Sequence, residues 1–401
     1  MVVSKKFEKV VAVLFGGRSS EHEVSLRSAL FILKNMPEKY GIVPVGINRD
    51  GIFFSLEGVF QSHDFANFSL EDLVTITQGN SLFAMPNIKN QKTILLPYVL
   101  DKLLHDAPSC YYGSTTDKKS YRILNFDVNC IFPVLHGQNG EDGRFQGLLE
   151  LAEIAYVGCD IRSSVIGIDK DIQKRLARDA GVAVANYCVV NNELFFENKN
   201  QTLEHIEQNI SYPCFIKPNA LGSAVGTGKA QNRIQLEKLL HEALMFDQKA
   251  LVEEIMVGTE VECAFLGSSY KPRISVAGEI APKDFYSYSE KYDSSSEAAL
   301  FIPARLSSKK MDELQDNARK IALATGISGL CRIDFWNCKN TNKFVFNEIN
   351  TMPGLTSISM FPKLWEQEGV IGKSWIEELI EAAYQRKKRL DNSQYGIKAT
   401  T

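Results

Sequence analysis

The clearest chemistry lies near the C-terminus. Arg332-Ile-Asp334 and Glu348-Ile-Asn350 sit in two apolar runs, Leu330 to Trp336 and Phe344 to Asn350, joined by a polar, Asn-rich stretch. That pattern predicts a β-hairpin. Side chains alternate faces along a strand, so Arg332 and Asp334 share one face, as do Glu348 and Asn350. Paired in register, the strands gather one cation, two carboxylates and one amide. Two carboxylates with an amide oxygen are hard donors suited to Mg2+, which keeps waters and takes substrate phosphates as its other ligands. A salt-bridge ladder between hairpin strands explains the same spacing equally well.

Other candidates are weaker taken singly. Lys217 ends a short apolar run before Asn219-Ala-Leu-Gly-Ser-Ala-Val-Gly-Thr-Gly228. This is not a Walker A motif. A glycine loop beside a strand-borne Lys can still clamp phosphates through backbone N–H groups and an ammonium. Glycine loops are common, so both readings stay open. Glu253-Glu-Ile-Met256, followed by Glu260, places an apolar residue between acceptors and could hold a purine; a solvated strand end is the plainer reading. His136 precedes a loop holding Gly137, Gly140 and Gly143. A lone His is more often a satisfied structural residue. Glu21 near a helix start could simply complement the dipole.

Certain elements must position these residues. Val10 to Phe15 reads as a strand buried on both faces. Ser20 reads as an N-cap, with Glu23 closing a capping box, for a helix through Leu33. Val128 to Leu135 reads as a strand whose Pro133 favours an edge or a strand end. Phe145 to Ala155 reads as a helix. Ile168, Ile172 and Leu176 fall at i, i+4, i+8, the apolar face of a helix ended by Gly181. Tyr212 to Lys217 and Ala250 to Glu253 read as strands. Leu314, Ala318, Ile321 and Ala322 mark a further helix. Residues 282–297 have no apolar period and carry three tyrosines and five serines, as a linker or lid would. The stretch from about 50 to 125, with its apolar run Ile94 to Leu100, is less legible.

Composition sets the frame. The chain has 401 residues, 44% hydrophobic and 23% charged, with a formal net charge of −3. Those values exclude a disordered or collagen-like chain and a polybasic nucleic-acid binder. At roughly 100–200 residues per domain the length suggests two to four domains. No apolar run reaches the roughly 20 residues of a membrane span, and none resembles a signal peptide. The 8 cysteines are scattered without a C-x-x-C pair, as reduced thiols of a cytosolic protein would be. Arg386-Lys-Lys-Arg389 fits a solvated helix end better than a nucleic-acid patch.

The order of the motifs is more telling than any one of them. Phe15-Gly-Gly-Arg-Ser-Ser-Glu-His-Glu-Val-Ser25, His136-Gly-Gln-Asn-Gly-Glu-Asp-Gly143, Lys217-Pro, Gly222-Ser-Ala-Val-Gly226, Arg332-Ile-Asp334 and Asn347-Glu-Ile-Asn-Thr-Met-Pro-Gly354 follow one another. Together, from about residue 10 to 385, they resemble a D-alanine–D-alanine ligase of the ATP-grasp superfamily. The resemblance implies an α/β fold of three domains, with ATP held between two antiparallel sheets of the central and C-terminal domains. The expected boundaries are 1–158 for the N-terminal domain, 159–253 for the central one and 254–401 for the C-terminal one. Residues 282–297 become an omega-loop lid.

The resemblance also implies roles. Lys170 and Lys217 contact the ATP phosphates, and Lys291 lies on the lid. Glu253 accepts from the adenine amino group, the backbone at Glu254 and Met256 brackets the ring, and Glu260 binds ribose. Asp334, Glu348 and Asn350 hold two Mg2+, with Mn2+ as a substitute. Arg332 and the Gly354 N–H stabilise an oxyanion. Glu21 anchors the ammonium of the first D-alanine, near His136, and Ser223 links Glu21 to Tyr292. Ser359 and Met360 hold the carboxylate of the second D-alanine. The implied product is D-alanyl-D-alanine for peptidoglycan precursors, made in the cytoplasm by a homodimer without nucleic-acid or membrane partners. One departure is Ala224, where many relatives carry a second Ser, so phosphate contacts there must come from backbone. Tyr292 and Met360 argue against a D-lactate or D-serine ligase. Arg332, Asp334, Glu348 and Asn350 argue against a non-catalytic ATP-grasp binder.

Overall fold

The computed structural model describes residue 7 and residues 9–56, 58–79, 128–281 and 299–392, with the backbone of residues 90–92. Tyr292, Lys291, the rest of the 282–297 segment, Cys110 and the Ile94–Leu100 run lie outside the described residues.

Three sheets organise the chain. The first builds on β1 (Lys9–Gly16), an apolar run buried from Val11 onward. The Gly16-Gly17 turn leads to α1 (His22–Asn35), then β2 (Tyr40–Ile47), β3 (Phe53–Leu56), α2 (Leu70–Thr77), β4 (Asn90–Lys92), β5 (Cys130–Val134), α3 (Arg144–Leu151) and β6 (Ala155–Tyr156). The order is β4-β3-β2-β1-β5-β6. β2, β1, β5 and β6 run parallel, and β3 and β4 pair antiparallel at one edge. Helices α4 (Ile161–Ile168) and α5 (Lys170–Asp179) follow.

The second sheet holds β7 (Tyr187–Asn191), β8 (Cys214–Pro218), β9 (Gly228–Ala230) and β10 (Lys249–Glu254). Helices α6 (Asn192–Glu197), α7 (Lys199–Asn209) and α8 (Arg233–Phe246) accompany it. Its order is β7-β10-β8-β9, all antiparallel. The third sheet holds β11 (Gly258–Ser268), β12 (Lys271–Ala281), β13 (Ala299–Phe301), β14 (Ser328–Cys338) and β15 (Lys343–Asn350), with α9 (Ser308–Thr325) packed on it. It too is antiparallel, in the order β13-β12-β11-β14-β15. The chain closes with α10 (Met360–Gln367) and α11 (Gly372–Asp391). The two antiparallel sheets and the mainly parallel first sheet match the expected α/β class.

Several local expectations need correction. Ser20 does not cap α1. Glu21 occupies the N-cap without a side-chain capping bond; its carboxylate accepts from Ser223 Oγ instead, while the Ser19 hydroxyl accepts the Glu21 N–H and donates to the His136 carbonyl. Of the two places expected for Pro133, the edge does not hold but the strand end does: it stands one residue before the end of the inner strand β5, past the Cys130–Ile131 stretch that pairs with β6. Helix α3 ends at Leu151, and Ala155 belongs to β6. Most telling is α5. Asp169 breaks the expected single helix and caps α5 through the Ile172 N–H. The face of α5 turned inward is polar: Lys170, Asp171, Gln173 and Lys174 are buried, while Ile172 and Leu176 are only partly covered. Arg386 is not a solvated helix end either. It donates to the carbonyls of Tyr156 and Gly158 and lies over the Tyr156 ring.

Candidate active site

The hairpin forms as its spacing requires. Arg332 pairs with Asn350 and Asp334 with Glu348 across β14 and β15, so the four side chains collect on one patch. A bulge after Asp334 leaves Asn347 as the extra residue. Its amide oxygen accepts from Lys217 Nζ at 3.3 Å. Arg332 holds both carboxylate oxygens of Asp334 at 2.8 Å, and its Nε also lies 3.0 Å from Glu262 on β11. Burial opposes the charge of Arg332, but Asp334 and Glu262 outweigh it and hold the guanidinium well above its ordinary value.

The opposite wall comes from α5 and the glycine loop. Lys170 Nζ donates to the Leu221 carbonyl at 2.8 Å and pairs with Glu348 at 3.2 Å. Ser223 and Ala224 adopt left-handed backbone, with φ of 57° and 54°. Non-glycine residues carry about 1–2 kcal/mol of strain there, and loops keep such strain at functional sites. Lys217 pairs with Glu253 at 2.9 Å, and Lys174 pairs with the other Glu253 oxygen at 3.2 Å. Burial alone would raise the Glu253 carboxyl, but the two lysines outweigh it and lower it.

The third wall belongs to the first sheet. Ser223 Oγ donates to a Glu21 oxygen, which brings the glycine loop onto the start of α1. His136 is buried with both nitrogens engaged. Nδ1 meets the Met352 carbonyl at 2.7 Å and Nε2 meets the Ser28 hydroxyl at 3.0 Å. Ser28 Oγ also accepts the Leu355 N–H. His136 and Ser28 therefore tie β5 and α1 to the segment that carries Gly354. Burial lowers the His136 pKa. Beside Glu21, burial and the Glu21 charge push Glu141 up to about 8. Glu141 accepts the Gly137 N–H at 2.7 Å.

These walls enclose a cavity of about 690 Å3. It is lined by ten of the expected residues: Glu21, His136, Lys170, Ser223, Arg332, Glu348, Asn350, Gly354, Ser359 and Met360. Ser359 holds the N-cap position of α10 without a side-chain capping bond, and its hydroxyl accepts the Thr356 N–H at 3.2 Å. Lys217, Glu253, Glu254, Met256, Glu260 and Asp334 do not line this cavity. Met256 packs instead against an apolar cluster with Ala185, Trp336, Cys338 and Val345. The Glu254 N–H already bonds to the Asn186 carbonyl, so only its carbonyl could serve a ligand. Glu260 sits with Glu262 and Asp334, each offering an oxygen within 4.8 Å of the others.

Residue-type reasoning had missed Glu262, Lys174, Glu141 and Asn347. Glu262 alternates with Glu260 along an apolar strand, and Lys174 lies one turn beyond Lys170; both signals were present. The donor set fits a divalent cation. Asp334 faces Glu348 across the hairpin and Asn350 adds an amide oxygen, hard donors of the kind a divalent cation takes, while the carboxylates whose oxygens converge within 4.8 Å are Glu260, Glu262 and Asp334.

Comparison with known proteins agrees. The family described as D-ala D-ala ligase N-terminus matches residues 10–159, and D-ala D-ala ligase C-terminus matches residues 176–381. A D-alanine–D-alanine ligase of Caldicellulosiruptor bescii is 39% identical over 391 residues, 96% of this chain and 98% of that one. The VanG D-Ala:D-Ser ligase of Enterococcus faecalis superposes with a TM-score of 0.75 at 32% identity, covering 94% of this chain and 99% of that one. The D-alanine–D-alanine ligase of Coxiella burnetii gives 0.75 at 29% identity, covering 96% and 97%. Two family matches that together span nearly the whole chain, over a site whose hairpin, Lys170 and glycine loop converge on one cavity, place it in the D-alanine–D-alanine ligase family of ATP-dependent ligases.

Proposed function

We propose that this chain joins two D-alanines through a D-alanyl phosphate, with the residues above in the following roles. The observation that carries the reading is the pairing of Arg332-Ile-Asp334 with Glu348-Ile-Asn350 at a cavity whose far wall is Glu21 and Ser223. A carboxylate is a poor acyl donor because oxide leaves badly. The first D-alanine takes the γ-phosphoryl group of ATP on its carboxylate, releasing ADP. The amine of the second attacks the carbonyl, phosphate leaves, and the amine sheds a proton.

Glu21, held by Ser223, receives the ammonium of the first D-alanine. Lys170 and Lys217 turn from their carboxylate partners to the phosphates. The backbone at Glu254 and Met256 brackets adenine, with Glu253 accepting its amino group and Glu260 beside the ribose. Arg332 and the Gly354 N–H are aimed at the developing oxyanion. Ser359 and Met360 hold the second substrate's carboxylate. His136 acts by fixing the Gly354 segment. Asp334, Glu348 and Asn350 would hold two Mg2+, or Mn2+ in their place, which when bound spread the charge of the transferring phosphoryl group. The lid at 282–297, with Lys291 and Tyr292, excludes water from the acyl phosphate. Domain boundaries near 158 and 253, a cytoplasmic location, a role in peptidoglycan synthesis and a homodimer complete the proposal. Among the described residues no helix is long and apolar enough to cross a membrane.

The deciding assay is phosphate release from ATP and Mg2+ with D-alanine, D-lactate, D-serine or L-alanine, products weighed by mass spectrometry. Release with D-alanine alone, giving the dipeptide, is expected. ATP binding without release would favour a non-catalytic binder. D-serine as second substrate deserves its own arm, because the VanG D-Ala:D-Ser ligase shares this fold at 32% identity. Tyr292→Phe is expected to loosen discrimination between D-alanine and D-lactate; unchanged product ratios would remove Tyr292 from that role.

A further inference from the structure

Among the described residues, Lys174 is a fully buried charge that the reaction does not use. Its side chain is 1% exposed. On α5 it stands one helical turn beyond Lys170, so the two ammoniums lie on one face. They serve different sheets: Lys170 reaches Glu348 of β15, and Lys174 reaches Glu253 of β10. The Tyr187 ring lies 5.9 Å away. The Lys174–Glu253 contact is an ion pair that falls short of hydrogen-bond alignment, so what it supplies is charge.

Glu253 carries two lysines, one per oxygen. The proposed function, on which this inference rests, draws Lys217 away to the phosphates. A buried carboxylate left alone would take up a proton. Adenine presents an amino donor at position 6 and requires an acceptor opposite. A 6-oxo purine presents an acceptor and requires a donor, which a protonated Glu253 would be. We propose that Lys174 is a positioning residue for nucleotide choice: it remains on Glu253 when Lys217 turns to phosphate, keeps that carboxylate ionised, and so makes the site select 6-amino over 6-oxo purine nucleotides. Burial and the neighbouring Lys217 drive the Lys174 pKa down to about 8, against the pull of Glu253 and, more weakly, of Glu348. The lysine acts through Glu253 and touches no substrate.

The test compares ATP with ITP, which carries oxygen at position 6. Lys174→Met keeps the length and removes the charge. The expected result is a fall of about tenfold or more in the ATP:ITP ratio of kcat/KM, the order a misplaced donor or acceptor produces. The KM for ATP should rise while that for D-alanine stays within about twofold. Lys174→Arg should restore most of the ratio, a rescue that tracks charge. A folded Lys174→Met enzyme with an unchanged ATP:ITP ratio overturns the proposal. Glu253→Gln separates the two levels: if it too leaves the ratio unchanged, the adenine role of Glu253 has failed; if it alone collapses the ratio, only the role of Lys174 has failed. Should Lys174→Met not fold, Lys174→Gln, which removes the charge but leaves an amide to meet the Glu253 carboxylate, takes its place, and an unchanged ATP:ITP ratio in that folded variant overturns the proposal.

Discussion

Glu348 faces Asp334 across the hairpin and meets Lys170 at 3.2 Å. Its side chain is a quarter exposed, so losing its charge should spare the fold. Glu348→Gln is expected to cut turnover at least about 100-fold, the scale of losing one electrostatic contact to a transition state. Its urea midpoint should barely move. Near-normal turnover in that folded variant would sink the metal assignment. Glu141 makes a different prediction. Its carboxyl is raised from about 4.5 to about 8 by burial and by Glu21. The folded chain keeps this proton longer than the unfolded chain does, so the group's contribution is full below about pH 4.5 and declines as pH rises to about 8. Glu141→Gln stays neutral and still accepts from the Gly137 N–H. Its unfolding midpoint should exceed that of the parent above pH 8, and the gap should close by pH 4.5. A gap independent of pH would show that Glu141 is already ionised.

At the scale of elements, α5 joins the two antiparallel sheets with a polar face. Gln173 accepts the Ile349 N–H at 2.8 Å, Lys170 meets Glu348 and Lys174 meets Glu253. Asp169 anchors the helix start twice, capping the Ile172 N–H and pairing with Lys249 at 3.0 Å. Asp169→Ala should lower unfolding free energy in urea by about 1–2 kcal/mol through the lost cap. Because α5 carries Lys170, the same variant should raise the KM for ATP. A change in stability alone would mean that the cap does not hold the lysine. Periodicity named the wrong inner face of this helix. Apolar spacing assumes that burial means an apolar neighbour. Here the neighbours are acidic and amide groups, so burial selects cations and Gln173. The hairpin was legible because strand alternation is a local property; its bulge was not, because only pairing with β14 makes Asn347 the extra residue.

Across the whole molecule, packing is unevenly shared. One core joins Val11 and Phe132 of the first sheet to Phe361, Trp375, Ile376 and Leu379 of α10 and α11. The second sheet keeps its own core, with Ile216, Leu240 and Val252. Two substitutions separate these units. Leu240→Ala should cost about 2–5 kcal/mol and speed amide hydrogen exchange within 187–254 while leaving β1 and β14 protected. Trp375→Ala, at about 3–5 kcal/mol, should loosen β1 and α11 together. If Leu240→Ala exposes β1 equally, the second sheet is not a separate unit. A semi-independent second sheet above a fused base is what a site needs if it must open for ATP and close for transfer.

The sequence by itself determined which groups could react. Residue types and their order named the hairpin acids, Arg332, the lysines, the glycine loop and the family, because backbone alternation and short motifs are written in neighbouring residues. Only the tertiary structure decided who partners whom. Arg332 against Glu262, Glu253 between two lysines, and His136 locked to Ser28 and Met352 all join segments distant along the chain. Such pairs are set by burial and electrostatics after the sheets meet, and no local pattern encodes them.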